Sequence, residues 1–206
     1  MKRKLGIFLL MGLIFKAFAV DVGEIIDKTL EKYENMTSFY AEFNQEYCDE
    51  VTGMCTRYEG KIYFQKPNFF RMEMDDPKQI YVGDSMSLWI YMPAQKRAVR
   101  QNLGKVPFQI SPDMFLKDYE KTFHAELTKE SQGHFEITLK PKEETEIYEK
   151  ITITIKNKTY EITGISIIDE VGSESKFSFD KIDINKKFSK DLFLFKPPKG
   201  TTVDEY

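Results

Sequence analysis

Hydrophobic alternation with a period of two, most regular between Gly60 and Met74, constrains the fold of this chain most strongly. Glycine or apolar side chains occupy the even positions Gly60, Ile62, Phe64, Phe70, Met72 and Met74. Odd positions such as Lys61 and Glu73 are polar, and Pro67 and Asn68 divide the stretch with a turn. Because successive side chains of a strand point to opposite faces, this pattern predicts two antiparallel strands with one apolar face and one face toward water.

The rest of the chain repeats this alternation at the spacing of β-hairpins. Further predicted strands begin at Phe39 and then cover 97–101, 123–127, 135–139, 147–155, 160–168, 177–184 and 192–195. The apolar phase changes near Asp180, which predicts a β-bulge. We therefore predict a mainly β fold in which about ten or eleven antiparallel strands form one strongly curved sheet.

Two segments depart from the β pattern. Between Asp21 and Met36, the spacing of Ile26, Leu30 and Tyr33 predicts one amphipathic helix that needs an apolar partner. Between Asn102 and Glu120, Ser111 and Pro112 predict a helix start, followed by Met114, Phe115 and Leu116 in a row. Three consecutive large apolar residues on a short helix cannot all face one core. Each segment therefore either packs on the sheet or covers a cavity, and the sequence leaves both open.

The apolar face of the central hairpins is rich in Phe and Met. Tight sheet cores favour β-branched residues, whereas methionine is flexible and polarizable. This surface suits an irregular apolar ligand. An ordinary core that uses methionine as filler is the alternative interpretation.

The first residues predict secretion. Lys2, Arg3 and Lys4 precede a mostly apolar run, and Ala17 and Ala19 supply the small residues that a signal peptidase reads. We predict a signal peptide at 1–19 and a single domain at 20–206, in agreement with a composition of 41% hydrophobic and 31% charged residues. Removing the four basic residues of the signal changes the formal charge from −3 to about −7. An acidic domain of this kind is a poor nucleic-acid binder.

The two cysteines of the sequence, Cys48 and Cys55, flank a plausible turn at Thr52 and Gly53. In an oxidising compartment this spacing predicts a disulfide across a hairpin. Metal binding would require further ligands, and the histidines lie far away in sequence.

Motifs of hydrolytic enzymes are absent from the sequence. It contains neither G-x-S-x-G nor H-E-x-x-H, and His124 and His134 flank a predicted turn as exposed residues. We therefore predict a protein that is not an enzyme and needs no cofactor or metal. A small basic patch near the C-terminus is either solvated surface or a contact for an anionic head group or an acidic partner; it comprises Lys181, Lys186, Lys187 and Lys190.

Four segments resemble the LolA-type periplasmic carriers of outer-membrane lipoproteins. They are KPNFFRME at 66–73, QIYVGD at 79–84, LWIY at 88–91 and FKPPKGTTVD at 195–204. Together they extend the resemblance over essentially the whole mature chain. Lys66 stands where the family usually has Arg, and Met72 where Trp is usual. Because lysine lacks the planar five-donor fork of arginine, lid closure is expected to be weaker or differently made.

The resemblance implies an incomplete antiparallel β-barrel with a helical lid over an apolar cavity, acting in the periplasm as a monomer. Its cargo would be the acyl chains of lipoproteins, received from an ATP-driven inner-membrane releasing complex and passed to an outer-membrane receptor where one is present. Lys66 would join sheet and lid. The cavity residues implied are Ile62, Phe64, Phe70, Met72, Met74, Leu88, Ile90, Phe108, Met114 and Phe115.

Two other functions remain open at the level of sequence. A related half-barrel could carry another lipid or glycolipid, or sense envelope stress. An esterase or other hydrolase could use the apolar cleft, although the nucleophile motif is absent.

Overall fold

The computed structural model describes residues 21–84, 86–102, 111–143 and 147–206. These residues form one open, curled sheet of twelve strands. The first six strands are β1 (Ser38–Cys48), β2 (Cys55–Gln65), β3 (Phe69–Met74), β4 (Gln79–Asp84), β5 (Ser87–Met92) and β6 (Arg97–Asn102). The other six are β7 (Phe123–Ser131), β8 (His134–Pro141), β9 (Tyr148–Lys156), β10 (Ile162–Asp169), β11 (Glu174–Ile184) and β12 (Thr202–Glu205).

The helices of the described residues are few and short. The predicted amphipathic helix is confirmed as α1 (Val22–Glu34), which Asp21 begins by accepting a hydrogen bond from the Gly23 N–H. A one-turn helix, α2 (Tyr119–Thr122), precedes β7, and 3₁₀ turns occur at Pro93–Gln95 and Lys190–Phe193. Within the described ranges, none of these helices combines the length and the apolar character needed to cross a bilayer.

Strand order places the two halves of the chain side by side. The order is β12-β6-β5-β4-β3-β2-β1-β11-β10-β9-β8-β7, so β7 and β12 form the two edges. Every pair is antiparallel except β12 with β6, which is parallel. The mainly β prediction is confirmed, with twelve strands in place of ten or eleven and one parallel pair.

The predicted last strand at 192–195 is wrong in detail. These residues belong to a connection, 186–200, which we call the C-terminal strap. It crosses the convex face of the sheet, and the chain then forms β12 at Thr202–Glu205. Three strap rings pack on sheet aromatics: Phe188 on Tyr63 at 5.7 Å, Phe193 on Phe69 at 5.9 Å and Phe195 on Trp89 at 5.3 Å. Aromatic burial on the convex face, rather than strand pairing, therefore explains the apolar residues of this segment.

The predicted bulge near Asp180 is confirmed. The register between β1 and β11 shifts between Tyr40 and Glu42, which pair with Asp183 and Asp180. Lys181, inside the shift, has a φ of 49°. The extra residue re-aims the β11 side chains, so Phe177 and Phe179 share the concave face with the apolar residues of β1.

The helix predicted to start at Ser111 and Pro112 is instead a series of turns. Backbone bonds link Met114 N to Ser111 O and Leu116 N to Asp113 O, both at 3.0 Å, and the regular turn of helix begins only at Tyr119. Phe108 and the rest of 103–110 lie outside the described residues.

The predicted disulfide between Cys48 and Cys55 is confirmed, and it joins directly paired residues at the ends of β1 and β2. The loop between them is also held without it, because Asp49 Oδ1 accepts from the Thr52 N–H at 2.8 Å and from the Thr52 hydroxyl at 2.7 Å.

Reducing this disulfide should therefore lower the free energy of unfolding only modestly and leave the protein folded. For so short a loop, we expect the free energy of unfolding to fall by about 2 to 3 kcal/mol at most. Urea unfolding of the oxidised and reduced protein, with a Cys48→Ser/Cys55→Ser variant as control, measures the difference. Loss of the folded state on reduction would contradict this expectation.

Candidate functional site

An apolar cavity of about 280 Å³ lies between the concave face of the sheet and the segment 111–115. Only apolar atoms are exposed along its walls. Its sheet side is lined by Phe39, Phe43, Ile62, Phe64, Met72, Ile165, Ile167, Phe177 and Phe179. Its other side is lined by Ser111, Pro112, Met114 and Phe115. A cavity without polar partners does not hold ordered water well, so it is suited to a hydrocarbon.

Aromatic rings form the wall between β1 and β11. Phe177 and Phe179 stack with centroids 6.3 Å apart, and they contact Phe43 at 6.2 Å and Phe39 at 6.5 Å. Rings have few rotamers and hold their positions, so they frame a space rather than collapse into it.

Two glycines on the concave face provide room for rings. A Cβ at Gly60 would lie 2.9 Å from the Phe43 ring, and one at Gly83 would lie 2.1 Å from the Phe70 ring. These contacts are closer than side-chain atoms tolerate, so each ring lies over bare backbone. The Gly60 position thereby allows Phe43 to form part of the cavity wall.

The helix α1 is fastened over the concave face at its C-terminal end. The Ile162 N–H of β10 donates to the Tyr33 hydroxyl at 3.0 Å, and Lys32 approaches Glu161 at 3.6 Å. Burial raises the pKa of the Tyr33 phenol well above its ordinary value, so Tyr33 stays neutral. Lys66 Nζ, just beyond β2, donates to the Glu34 carbonyl at 2.8 Å. A cation at this end also interacts favourably with the helix dipole.

The segment 111–118 covers the cavity, whereas no residue of α1 is among its lining residues. We call α1 and this segment together the lid. Met114 and Phe115 point into the cavity, whereas Leu116 is fully buried in the core. The Phe115 ring meets Tyr148 edge-on at 5.7 Å. Asp113 is 1% exposed; it accepts a hydrogen bond from the Ser111 hydroxyl and approaches Lys117 Nζ at 3.2 Å.

The sequence-predicted cavity residues separate into three groups. Five of them line the cavity: Ile62, Phe64, Met72, Met114 and Phe115. Four lie on the same apolar face but pack into the surrounding core: Phe70, Met74, Leu88 and Ile90. Phe108 lies outside the described residues.

Sequence reasoning missed the cavity residues of β1, β10 and β11. They are Phe39, Phe43, Ile165, Ile167, Phe177 and Phe179. Each lies on a strand that the alternation predicted, and the alternation also indicates that its side chain points to the apolar face. What the pattern lacked was the pairing of β1 with β11, which joins residues more than a hundred positions apart.

Potential metal ligands are scattered over the described ranges. No group of three or more His, Cys, Asp or Glu side chains there is placed to hold a metal ion. His124 and His134 lie on neighbouring strands at the β7–β8 hairpin, away from the cavity lining.

The chain is similar in sequence to known lipoprotein carriers. An outer-membrane lipoprotein carrier protein of Legionella pneumophila (strain Corby) is 27% identical over 203 residues, covering 96% of this chain and 97% of the relative. One from Erwinia tasmaniensis is 28% identical over 181 residues, covering 85% of each chain. An uncharacterized conserved protein from Thermus thermophilus shares the fold, with a TM-score of 0.58 and 12% identity over 89% of this chain and 98% of that one.

A sequence model of one protein family also matches most of the chain. It is described as outer membrane lipoprotein carrier protein LolA, and the match extends from residue 34 to residue 196. The matched region includes every cavity-lining residue and Lys66. The chain therefore belongs to the LolA family of outer-membrane lipoprotein carriers.

Proposed function

We propose that this protein is a non-catalytic periplasmic carrier, which binds the acyl chains of lipoproteins released from the inner membrane and delivers them toward the outer membrane. The observation that carries the proposal is the unfilled cavity of about 280 Å³ with only apolar atoms on its walls. Membership of the LolA family supports the same cargo.

The size of the cavity suggests how cargo enters. Ligand pockets commonly measure about 300 to 1,000 Å³, so this cavity lies just below that range and suits part of one acyl chain. Accommodating a whole lipid anchor requires the lid to move away from the sheet. The few hydrogen bonds that fasten α1 are compatible with such a movement.

Energetics argue for partners on both sides of the transfer. Burying a methylene group from water yields about 0.8 kcal/mol, but an acyl chain in a bilayer already has this gain. Transfer into the cavity is thus close to thermoneutral, and an ATP-driven inner-membrane complex would supply the work of extraction. Delivery needs only a receptor that binds the chains slightly better, since about 1.4 kcal/mol changes an equilibrium tenfold.

Secretion completes the proposal. Residues 1–19 would be removed as a signal peptide, leaving 20–206 as one carrier domain in the periplasm. Mass measurement of the protein isolated from the periplasm tests this directly, because an uncleaved chain would retain the mass of residues 1–19.

The decisive experiment uses inner-membrane vesicles that contain the releasing complex and a lipoprotein. We expect ATP to move lipoprotein into the soluble fraction only when the carrier is added, and mass spectrometry of the recovered carrier should find acylated cargo. A carrier that returns only free phospholipid or glycolipid would instead favour the related lipid-binding function. No bound lipid in either case would refute the proposal.

Lys66 offers a test of lid control. Replacing Lys66 by Met keeps the aliphatic stem but removes the hydrogen bond to the Glu34 carbonyl. We expect the lid to open more often and a fluorescent acyl probe to dissociate about two- to fivefold faster, in a stopped-flow measurement. The matched control is Lys158→Met, an exposed lysine outside the lid. Equal release from the Lys66 variant and the wild type would exclude this role.

A further inference from the structure

The C-terminal strap differs in charge from the rest of the protein. Residues 186–200 contain five lysines and one aspartate, whereas the processed chain as a whole is acidic. All five lysines are exposed: Lys186, Lys187, Lys190, Lys196 and Lys199. The strap therefore presents a basic stripe on an acidic molecule.

Most of this positive charge is not neutralised locally. Lys186 lies 3.5 Å from Asp183, but Lys187, Lys190, Lys196 and Lys199 form no ion pair with any residue that the structure describes. Other charges of the convex face pair among themselves, such as Arg71 with Glu73 at 2.6 Å and Lys181 with Glu42 at 2.8 Å. These four lysines are thus available to an external anion.

Packing fixes which side of the strap faces outward. Phe188, Phe193 and Phe195 anchor it to β2, β3 and β5, and Arg71 Nη1 donates to the Leu192 carbonyl at 3.2 Å. Between two anchoring rings, Leu194 turns away from the sheet and is 53% exposed. A large apolar side chain thereby stands between Lys190 and Lys196 on a rigid support.

We propose that the strap is a docking surface for the anionic face of a phospholipid bilayer, with its lysines on the head groups and Leu194 inserted between them. Clusters of several lysines near one another are attracted to anionic lipid. An exposed leucine adds apolar insertion, as on interfacial membrane-binding segments.

The residue types favour a bilayer over an acidic protein. Protein interfaces are enriched in arginine and depleted in lysine, because the planar guanidinium forms specific bidentate contacts. The strap contains no arginine. Flexible lysine side chains around one leucine can adapt to the head groups of a bilayer, whose charges are mobile.

Docking in this way would orient the carrier. The strap lies on the convex face, opposite the concave face that lines the cavity. The surface is independent of the cavity, so docking can fail while lipoprotein binding persists, and the reverse is equally possible.

Vesicle flotation of the processed chain tests the proposal. We expect the wild type to float with vesicles of phosphatidylcholine containing phosphatidylglycerol, and not with phosphatidylcholine alone, and high salt should release it. At about fivefold per lysine, a Lys187→Gln/Lys190→Gln/Lys196→Gln variant should bind about a hundredfold more weakly. Leu194→Ser should weaken binding a few-fold without abolishing the salt dependence.

A matched control separates the strap from total charge. Lys78→Gln/Lys140→Gln/Lys158→Gln changes the net charge equally at exposed lysines elsewhere, and it should bind as the wild type does. An equal loss in both triple variants would overturn the proposal. Unchanged flotation of the strap variant would also overturn it, and its lysines would then be free to engage an acidic protein instead.

Discussion

Gly60→Ala is expected to lower the free energy of unfolding by about 2 to 4 kcal/mol. The new Cβ would lie 2.0 Å from the Glu73 carbonyl oxygen and 2.9 Å from the Phe43 ring. The carbonyl belongs to the paired backbone of β3 and cannot rotate away as a side chain would. Relief therefore requires β2 and β3 to separate where Gly60 pairs with Met74, or Phe43 to leave the cavity wall.

Chemical denaturation of Gly60→Ala and Gly23→Ala measures this effect. At Gly23, in the first turn of α1, an added Cβ meets nothing closer than 3.5 Å, and alanine favours helix. The control should be neutral or slightly more stable. If Gly60→Ala were as stable as the control, close packing at this position would not constrain the sheet.

Met72→Glu is expected to weaken acyl-chain binding by at least about 30-fold while the protein stays folded. Met72 is only partly buried and lines the cavity from β3, where it pairs with Ile62. No polar atom is exposed in the cavity walls to receive a carboxylate. The charge would either draw water into the space or have to be neutralised, and burying an unpaired polar group costs about 2 kcal/mol or more.

Titration with a fluorescent palmitoyl probe gives the comparison. Met72→Leu keeps the apolar volume and should bind as the wild type does. Met54→Glu makes the same chemical change at a hairpin tip where the side chain is 68% exposed, and it should also have no effect. Undiminished binding by a folded Met72→Glu protein would place the acyl chains elsewhere.

The sequence was sufficient to predict much of the fold, because the pattern of a strand with one buried face is local. The alternation at Ile62, Phe64 and Met72 identified both the strands and the side that faces inward. The bulge near Asp180 was also indicated in the sequence, by a change in the phase of the apolar alternation. Four segments carried the family resemblance, and the family model confirms it.

What sequence reasoning missed depends on contacts between distant residues. Phe43 and Phe177 meet only because β1 and β11 pair, and no local pattern specifies that pairing. Residues 192–195 of the strap were predicted as a strand because they form a continuous apolar run, whereas Phe193 and Phe195 pack on the convex side of the sheet. β12 is short and pairs with β6 in parallel. Parallel strands are not joined by a tight turn, so no turn residues in the sequence indicate this pairing.

The strand order has a consequence for the segment that covers the cavity. β6 and β7 are consecutive in the chain, yet they belong to opposite ends of the sheet, with nine strands between them. The stretch that joins them, 103–122, includes Met114 and Phe115 of the cavity lining. Met114 and Phe115 therefore belong to the part of the chain that lies, in sequence, between the two margins of the sheet, so one segment serves both as connection between the margins and as contact for the guest.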